Sequence, residues 1–159
     1  MLYSTIILPY LNYGILAWGH SSRCLIDKLF LCQKRAIRNI FGVSMRSHTN
    51  ELFSNSKILK IDDLYQFHLG CIMHKLNKTD LPYIIESVFI KNSEIHKYPT
   101  RQTNLYHLPK TRLRLLQNTL MYNGPKFWNS LEPELQQTTN FYTFKRKLKL
   151  FFLKQYSSD

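Results

Sequence analysis

The chain of 159 residues carries 22 Lys and Arg against ten Asp and Glu, a formal net charge of +12 at pH 7. A hydrophobic content of 44% excludes wholesale disorder, and the length suffices for one domain with its own core. The excess charge costs self-repulsion that a polyanion would relieve, so nucleic acid is the leading partner class and an anionic membrane the second. The plain alternative is a soluble basic protein without such a partner.

Cysteine usage and the N-terminal composition bear on the compartment. Cys24, Cys32 and Cys71 are odd in number and lack framework spacing, and each lies in an apolar helical pattern, which favours a reducing compartment over secretion. Residues 1–22 include no Asp, Glu, Lys or Arg, but polar residues and Pro9 interrupt them, and neither the basic start nor the cleavage site of a signal peptide is visible. We expect an intracellular protein, nuclear or cytoplasmic, that has no membrane partner and begins with a buried helix pair broken near Pro9.

Hydrophobic periodicity predicts a mainly α fold of five to seven helices over residues 1–159. The first helical segment spans about residues 1–18, and the second, about Arg23 to Phe41, ends at Gly42. An apolar stripe on the second helix comprises Leu25, Leu29, Cys32, Ala36 and Ile40, and its cations on the other side are Lys28, Lys34, Arg35 and Arg38. Those cations form either a phosphate-facing rim or an ordinary solvated face.

The remaining elements follow in order. Short helices are predicted after His48-Thr49 through Phe53, from Pro82 to about Val88 and near Gln117, with longer ones from Asp62 to about Asn77 and from Phe141 to Tyr156. The helix that Asp62 opens as N-cap is apolar around most of its circumference, so we expect it to be central and buried. The polar composition and prolines of residues 91–110 predict a loop. Leu105–Leu108 could pair with Leu113–Leu115 as one short β-hairpin.

The sequence offers little for catalysis or metal binding. Two-metal polymerase chemistry needs placed carboxylates, and the adjacent pair Asp62 and Asp63 sits at a helix start, where acidic residues favour the helix dipole. Two His/Cys pairs have spacings that could face one ion, Cys71 with His74 and His20 with Cys24, but paired CxxC spacing is missing. We therefore expect no enzymatic site, no metal and no cofactor.

Cations and aromatic residues point to nucleic-acid binding. Arg101, Lys110, Arg112 and Arg114 cluster within a loop that also contains Tyr98, Tyr106 and His107. Cationic side chains neutralise phosphates and aromatic faces stack unpaired bases, although the same rings could simply pack the hairpin. The candidate nucleic-acid-binding residues over the whole chain are Lys34, Arg35, Arg38, Arg101, Arg112, Arg114, Lys145 and Lys147.

Several short strings occur in order along nearly the whole chain: LPYLNYG at Leu8–Gly14, QKRAIR at Gln33–Arg38, HT at His48-Thr49, GPKFWNSL at Gly124–Leu131 and FKRKL at Phe144–Leu148. Together they resemble the C-terminal region of jockey-like non-LTR retrotransposon reverse transcriptases. The resemblance implies a parent RNA-directed DNA polymerase whose endonuclease and polymerase domains are absent from this chain. The chain departs from the family pattern after Leu131, where Glu132 precedes Pro133.

Two functions follow from the charge and the resemblance together. The leading hypothesis is an accessory segment that binds RNA and/or DNA, lacks the polymerase active site and partners the upstream polymerase domain in the full-length element. The alternative is a structural scaffold or protein-interaction domain that supports the polymerase without binding nucleic acid. Its N-terminal segment would then be an interface.

Overall fold

The computed structural model describes residues 2–78, 81–95 and 103–156. These residues form a π-helical turn and eleven α-helices, with no β-strand among them, so the predicted mainly α fold is confirmed. In chain order the elements are the π-helical turn (Tyr3–Ile7), α1 (Leu8–Asn12), α2 (Ile15–Trp18), α3 (Arg23–Phe41), α4 (Asn50–Asn55), α5 (Ile61–Asn77), α6 (Tyr83–Glu86), α7 (Asn92–Ile95), α8 (Arg114–Gln117), α9 (Leu120–Ser130), α10 (Pro133–Gln136) and α11 (Phe141–Gln155). They outnumber the predicted five to seven because many are single turns.

The chain divides into two compact units. The first unit comprises Met1–His68 with Arg146–Asp159, and the second comprises Leu69–Lys145. Both boundaries fall inside helices, since α5 runs from Ile61 to Asn77 and α11 from Phe141 to Gln155. Each unit therefore takes part of its core from a helix that continues beyond it.

The N-terminal segment stays helical through Pro9. The amide of Leu8 donates to the carbonyl of Tyr3, five residues back, and this wider π turn leads into α1, where the missing amide of Pro9 is harmless near the helix start. The interruption lies instead at Gly14, whose φ of 60° is a left-handed conformation that glycine adopts without strain. The predicted break near Pro9 was wrong by about one turn.

The same segment is less buried than its composition suggested. Among the described residues of this segment, two side chains are buried, those of Tyr3 and Ile15. Four large apolar or aromatic side chains are exposed instead: Leu2, Ile6, Tyr10 and Tyr13. The expectation of a buried N-terminal helix pair was therefore wrong, and the segment presents an apolar surface.

Helix α3 has the predicted bounds but a different buried face. It ends where Gly42 adopts a φ of 64° and the amide of Val43 returns to the carbonyl of Arg38. Its buried residues are Ile26, Gln33 and Ile37, at spacings of seven and four. The predicted apolar stripe lies beside this face, and its members Leu25, Cys32 and Ile40 are exposed. Cys24 is exposed as well, so two of the three cysteines are not core residues.

A buried amide organises the first unit. Gln33 Nε2 donates to Tyr3 Oη at 2.6 Å and to the carbonyl of Leu59 at 2.8 Å, while its Oε1 accepts from the amide of Ile61 at 3.1 Å. The amide of Lys60 donates to Tyr156 Oη at 3.0 Å. These side chains cap the start of α5, which begins at Ile61, so the predicted N-cap role of Asp62 was wrong.

Helix α5 is largely buried, as its all-round apolar pattern predicted. In the first unit it buries Leu64 and Phe67, and in the second it buries Met73 and His74. The imidazole of His74 stacks on Phe144 at 4.4 Å between centroids, and its Nε2 donates to the carbonyl of Thr138 at 2.8 Å. His74 is thus a core residue of the second unit.

The predicted hairpin is replaced by other contacts in the second unit. Tyr106 pairs with Lys91 in an isolated antiparallel bridge, and the side chain of Asn129 bonds both the amide and the carbonyl of Tyr106, at 3.1 and 2.8 Å. The proposed partner strand, Leu113–Leu115, instead leads into the single turn α8. The side-chain amide of Asn129 therefore satisfies the backbone amide and carbonyl of Tyr106, which a neighbouring strand would otherwise have paired.

Candidate nucleic-acid interface

The cations of α3 differ in what they contact. Arg38 Nε and Nη2 donate to the carbonyl of Ser47 at 3.0 and 2.9 Å, which ties the end of α3 to the following loop. Lys34 Nζ lies 4.2 Å from the ring centroid of Phe30 and faces a cleft. Arg35 is exposed and has no hydrogen-bond or ion-pair partner among the described residues. Of the three α3 candidates, Arg35 is the one that the fold does not already use.

The arginines before and within α8 are also exposed. Arg112 and Arg114 contact no carboxylate in the described part of the second unit, and Gln117 Nε2 holds their backbone by donating to the carbonyl of Thr111 at 3.0 Å. Arg101 and Tyr98 lie outside the described residues. Two guanidinium groups, two residues apart, are therefore presented to solvent from a locally braced segment.

The aromatic partner expected beside these arginines is not available for stacking. Tyr106 is only 4% exposed, because Asn129 and Lys91 hold it in the core of the second unit. Burial, with smaller contributions from Glu86 and Glu94, raises the pKa of its hydroxyl to about 12. His107 is half-buried. Tyr106 is therefore buried in the second unit rather than exposed for stacking on a base, and it packs there without the hairpin that the alternative assumed.

The last helix places its two candidates in different units. Lys145, in the second unit, and Lys147, in the first, are both exposed. Tyr142, one turn before Lys145, is 80% exposed, and sequence reasoning did not single it out. Its position beside basic residues on a helix whose core face is carried by Phe144 and Leu148 was the available indication.

The described candidate residues are divided between the two units. The first unit contains Lys34, Arg35, Arg38 and Lys147, and the second contains Arg112, Arg114 and Lys145. In the first unit, Asp27 and Asp62 both pair with Arg23, each at 2.9 Å, so these two carboxylates are engaged by a cation outside the candidate set. The Arg23 guanidinium donates a hydrogen bond to Asp62 Oδ1, and this bond raises the pKa of Arg23 above its ordinary value.

Two further findings concern metals and membranes. Within residues 2–78, 81–95 and 103–156, no group of three or more His, Cys, Asp and Glu side chains is placed to hold a metal ion. Over the same residues, no helix combines the length and the apolar character that crossing a bilayer requires.

Comparison of the chain with family models, with curated proteins and with solved structures found no match.

Proposed function

We propose that this chain is a nucleic-acid-binding accessory segment of a non-LTR retrotransposon reverse transcriptase, without a polymerase active site of its own. It binds RNA and/or DNA inside the cell, in the nucleus or the cytoplasm, and partners the upstream polymerase domain in the full-length element. The resemblance of the ordered sequence strings supports the family. The exposed, uncompensated cations support the binding function.

One observation carries the binding proposal. Arg35, Arg112 and Arg114 are exposed guanidinium groups that no carboxylate among the described residues neutralises. A guanidinium has a planar fork of donors that matches phosphate oxygens, and it can also stack on a base. Exposed arginines without acidic neighbours cost self-repulsion in the free protein, and phosphate contacts would remove that cost.

The test is a titration of the purified chain with single-stranded RNA, duplex DNA and an RNA–DNA hybrid at several salt concentrations. Phosphate contacts release counterions, so we expect the logarithm of the binding constant to fall linearly with the logarithm of salt concentration. Comparable slopes for several sequences would indicate contacts to the backbone rather than to base edges. Absence of salt-dependent binding to all three nucleic acids would refute the proposal.

A second function is favoured by a specific observation at the N-terminus. Leu2, Ile6, Tyr10 and Tyr13 are exposed at near-helical spacing, and Tyr10 and Tyr13 are 80% and 85% exposed. Exposed apolar side chains in such number mark protein-interaction surfaces more often than ordinary solvated ones. The alternative function is therefore a scaffold that packs against the polymerase. This alternative predicts that the chain binds a polymerase domain and does not bind nucleic acid.

A further inference from the structure

A polar cleft of about 280 Å³ opens in the first unit beside the start of α5. Its charged lining comes from Lys34 of α3 and from Lys60, Asp62 and Asp63 at the α5 terminus. Asn50 and Gln155 contribute two side-chain amides. The volume is close to the lower limit for small-ligand sites, which start at about 300 Å³.

The two ammonium groups in the cleft both lie over aromatic rings, and the charge of Lys60 also acts on Asp63. Lys34 Nζ lies 4.2 Å from the ring centroid of Phe30, and Lys60 Nζ lies 4.2 Å from that of Tyr156. Neither lysine forms an ion pair within the described residues. A cation held over a ring face keeps its N–H donors available for an incoming anion.

The two carboxylates, by contrast, already have partners within the fold. Asp62 Oδ1 accepts from Arg23 Nη1 at 2.9 Å, and Asp63 Oδ2 accepts from the hydroxyl of Tyr156. Burial also raises the pKa of Asp63, which disfavours its charged form. The lining thus carries two lysines and two aspartates, and Arg23, which pairs with Asp62 from outside the lining, also pairs with Asp27. Among the described residues of the cleft, the donors without an acceptor are ammonium and amide groups.

We propose that this cleft binds the phosphate of a nucleotide, with Lys34 and Lys60 contacting the phosphate oxygens and the amides of Asn50 and Gln155 bonding the sugar or the base. The inference rests on the proposed nucleic-acid function and adds to it a discrete anchor for a phosphomonoester. The phosphate has two possible sources with the same chemistry, a free mononucleotide or the 5′-phosphorylated end of a strand.

The experiment compares four probes at fixed salt: AMP, adenosine, and one single-stranded RNA octamer carrying either a 5′-phosphate or a 5′-hydroxyl. We expect the phosphate to strengthen binding by about tenfold in at least one of the two pairs, as a single charge-assisted contact would. A gain with AMP assigns the cleft to free nucleotides, and a gain with the 5′-phosphorylated octamer assigns it to strand ends. Equal affinity within both pairs overturns the proposal.

Variants locate the effect in the cleft. Lys34→Gln and Lys60→Gln should each remove most of the gain from the phosphate, whereas Lys28→Gln, an exposed lysine on the same helix, should leave that gain unchanged. Asp63→Asn removes a negative charge from the cleft and should increase phosphate affinity. Far-UV circular dichroism checks that each variant retains its helices. An equal effect of Lys28→Gln and Lys34→Gln, or weaker phosphate binding by Asp63→Asn, would overturn the assignment.

Failure of this inference is distinguishable from failure of the proposed function. If the 5′-hydroxyl octamer binds with a normal salt slope but the phosphate adds nothing, the cleft is wrong and the general binding surface stands. If AMP binds more tightly than adenosine while neither octamer binds, the cleft stands and the nucleic-acid function is wrong.

Discussion

Gln33 Oε1 accepts a hydrogen bond at 3.1 Å from the amide of Ile61, so a side chain 28 residues earlier in the chain caps the N-terminus of α5. The same side chain donates to Tyr3 and to the carbonyl of Leu59. One amide thereby joins the N-terminal turn, α3 and α5 inside the first unit. All of these contacts are buried, which makes them costly to remove.

Replacing Gln33 by Leu should destabilise the first unit strongly. Leucine fills a similar volume but leaves the amide of Ile61, the carbonyl of Leu59 and the hydroxyl of Tyr3 without a partner. Leaving buried polar groups unsatisfied costs about 1–3 kcal/mol each, and after relaxation we expect a loss of roughly 3 kcal/mol in the free energy of unfolding. Urea unfolding measures it. Asn39→Leu, at an exposed amide on the same helix, is the control, with an expected change within about 0.5 kcal/mol. Equal stability of the two variants would contradict this account.

Asp63→Asn should stabilise the chain at neutral pH and lose this advantage in acid. Burial raises the pKa of Asp63 in the folded state, so the folded chain binds this proton more tightly than the unfolded chain does. The associated stability is present below the ordinary carboxyl pKa and is lost as pH rises through the folded-state pKa. Asparagine keeps an acceptor for Tyr156 without ionising. The difference in free energy of unfolding, variant minus parent, should therefore be positive at pH 7 and shrink towards zero near pH 3.

Urea titrations at both pH values measure this difference. The control is Asp27→Asn, which removes an exposed carboxylate paired with Arg23 and should not stabilise the chain at pH 7. A variant at Asp63 that is less stable than the parent at pH 7, or whose advantage grows in acid, would show that its ionised form is favoured by the fold.

Gly19→Ala should cost more than Gly42→Ala. A Cβ at Gly19 would lie 2.5 Å from Tyr65 Cδ2 and 2.5 Å from the carbonyl oxygen of Ile15, so the neighbours must move. Overpacking of this kind costs about 1–3 kcal/mol. A Cβ at Gly42 would meet nothing within 4 Å, and only its φ of 64° opposes it, at a cost of about 1 kcal/mol. Thermal unfolding compares the two.

A double-mutant cycle separates the causes. Tyr65→Leu should recover part of the loss from Gly19→Ala and none of the loss from Gly42→Ala. Additive effects of Gly19→Ala and Tyr65→Leu would mean that the ring of Tyr65 is not what excludes a side chain at Gly19.

Sequence reasoning succeeded where the determinants are local. The bounds of α3 follow from its helical pattern and from Gly42, the residue directly after its last turn, which terminates it. Its buried face was misplaced because the pattern counted apolar residues, whereas the face is centred on polar Gln33, whose partners come from distant segments. The expected hairpin failed for the same reason, because Tyr106 pairs with Lys91, a residue outside the two segments that were expected to pair.

Some features of the candidate site could likewise be predicted from local sequence, and others could not. The exposure of Arg112 and Arg114 follows from their residue type, although their neighbours Leu113, Leu115 and Leu116 are apolar and are exposed as well. The bond from Arg38 to the carbonyl of Ser47 depends on how the loop after α3 returns, which no local pattern encodes. The cleft at the start of α5 joins residues from four separate segments, so its existence could not be predicted from spacing.

The exposed N-terminal side chains should drive self-association at high protein concentration. Tyr10 belongs to the row of exposed apolar residues that includes Leu2, Ile6 and Tyr13. We expect Tyr10→Ser to lower the apparent mass at high concentration in sedimentation or light scattering, since exposed apolar patches promote association. Tyr142→Ser is the matched control, because Tyr142 is equally exposed at 80% but is followed one turn later by Lys145. A monodisperse monomeric parent would show that the patch is too small to associate.

Nucleic-acid binding through arginines that the fold leaves unused is the central claim, and its most direct test is the salt dependence of single-stranded RNA binding by single-arginine variants. Arg35→Gln, Arg112→Gln and Arg114→Gln should each weaken binding and lower the magnitude of the salt slope by about 0.7 per lost phosphate contact. Arg23→Gln removes the same charge from a side chain already engaged by Asp27 and Asp62, so its slope should match that of the parent. If all four variants keep the parent slope, or if Arg23→Gln changes it as much as the others, the proposed surface is contradicted and the scaffold function takes its place.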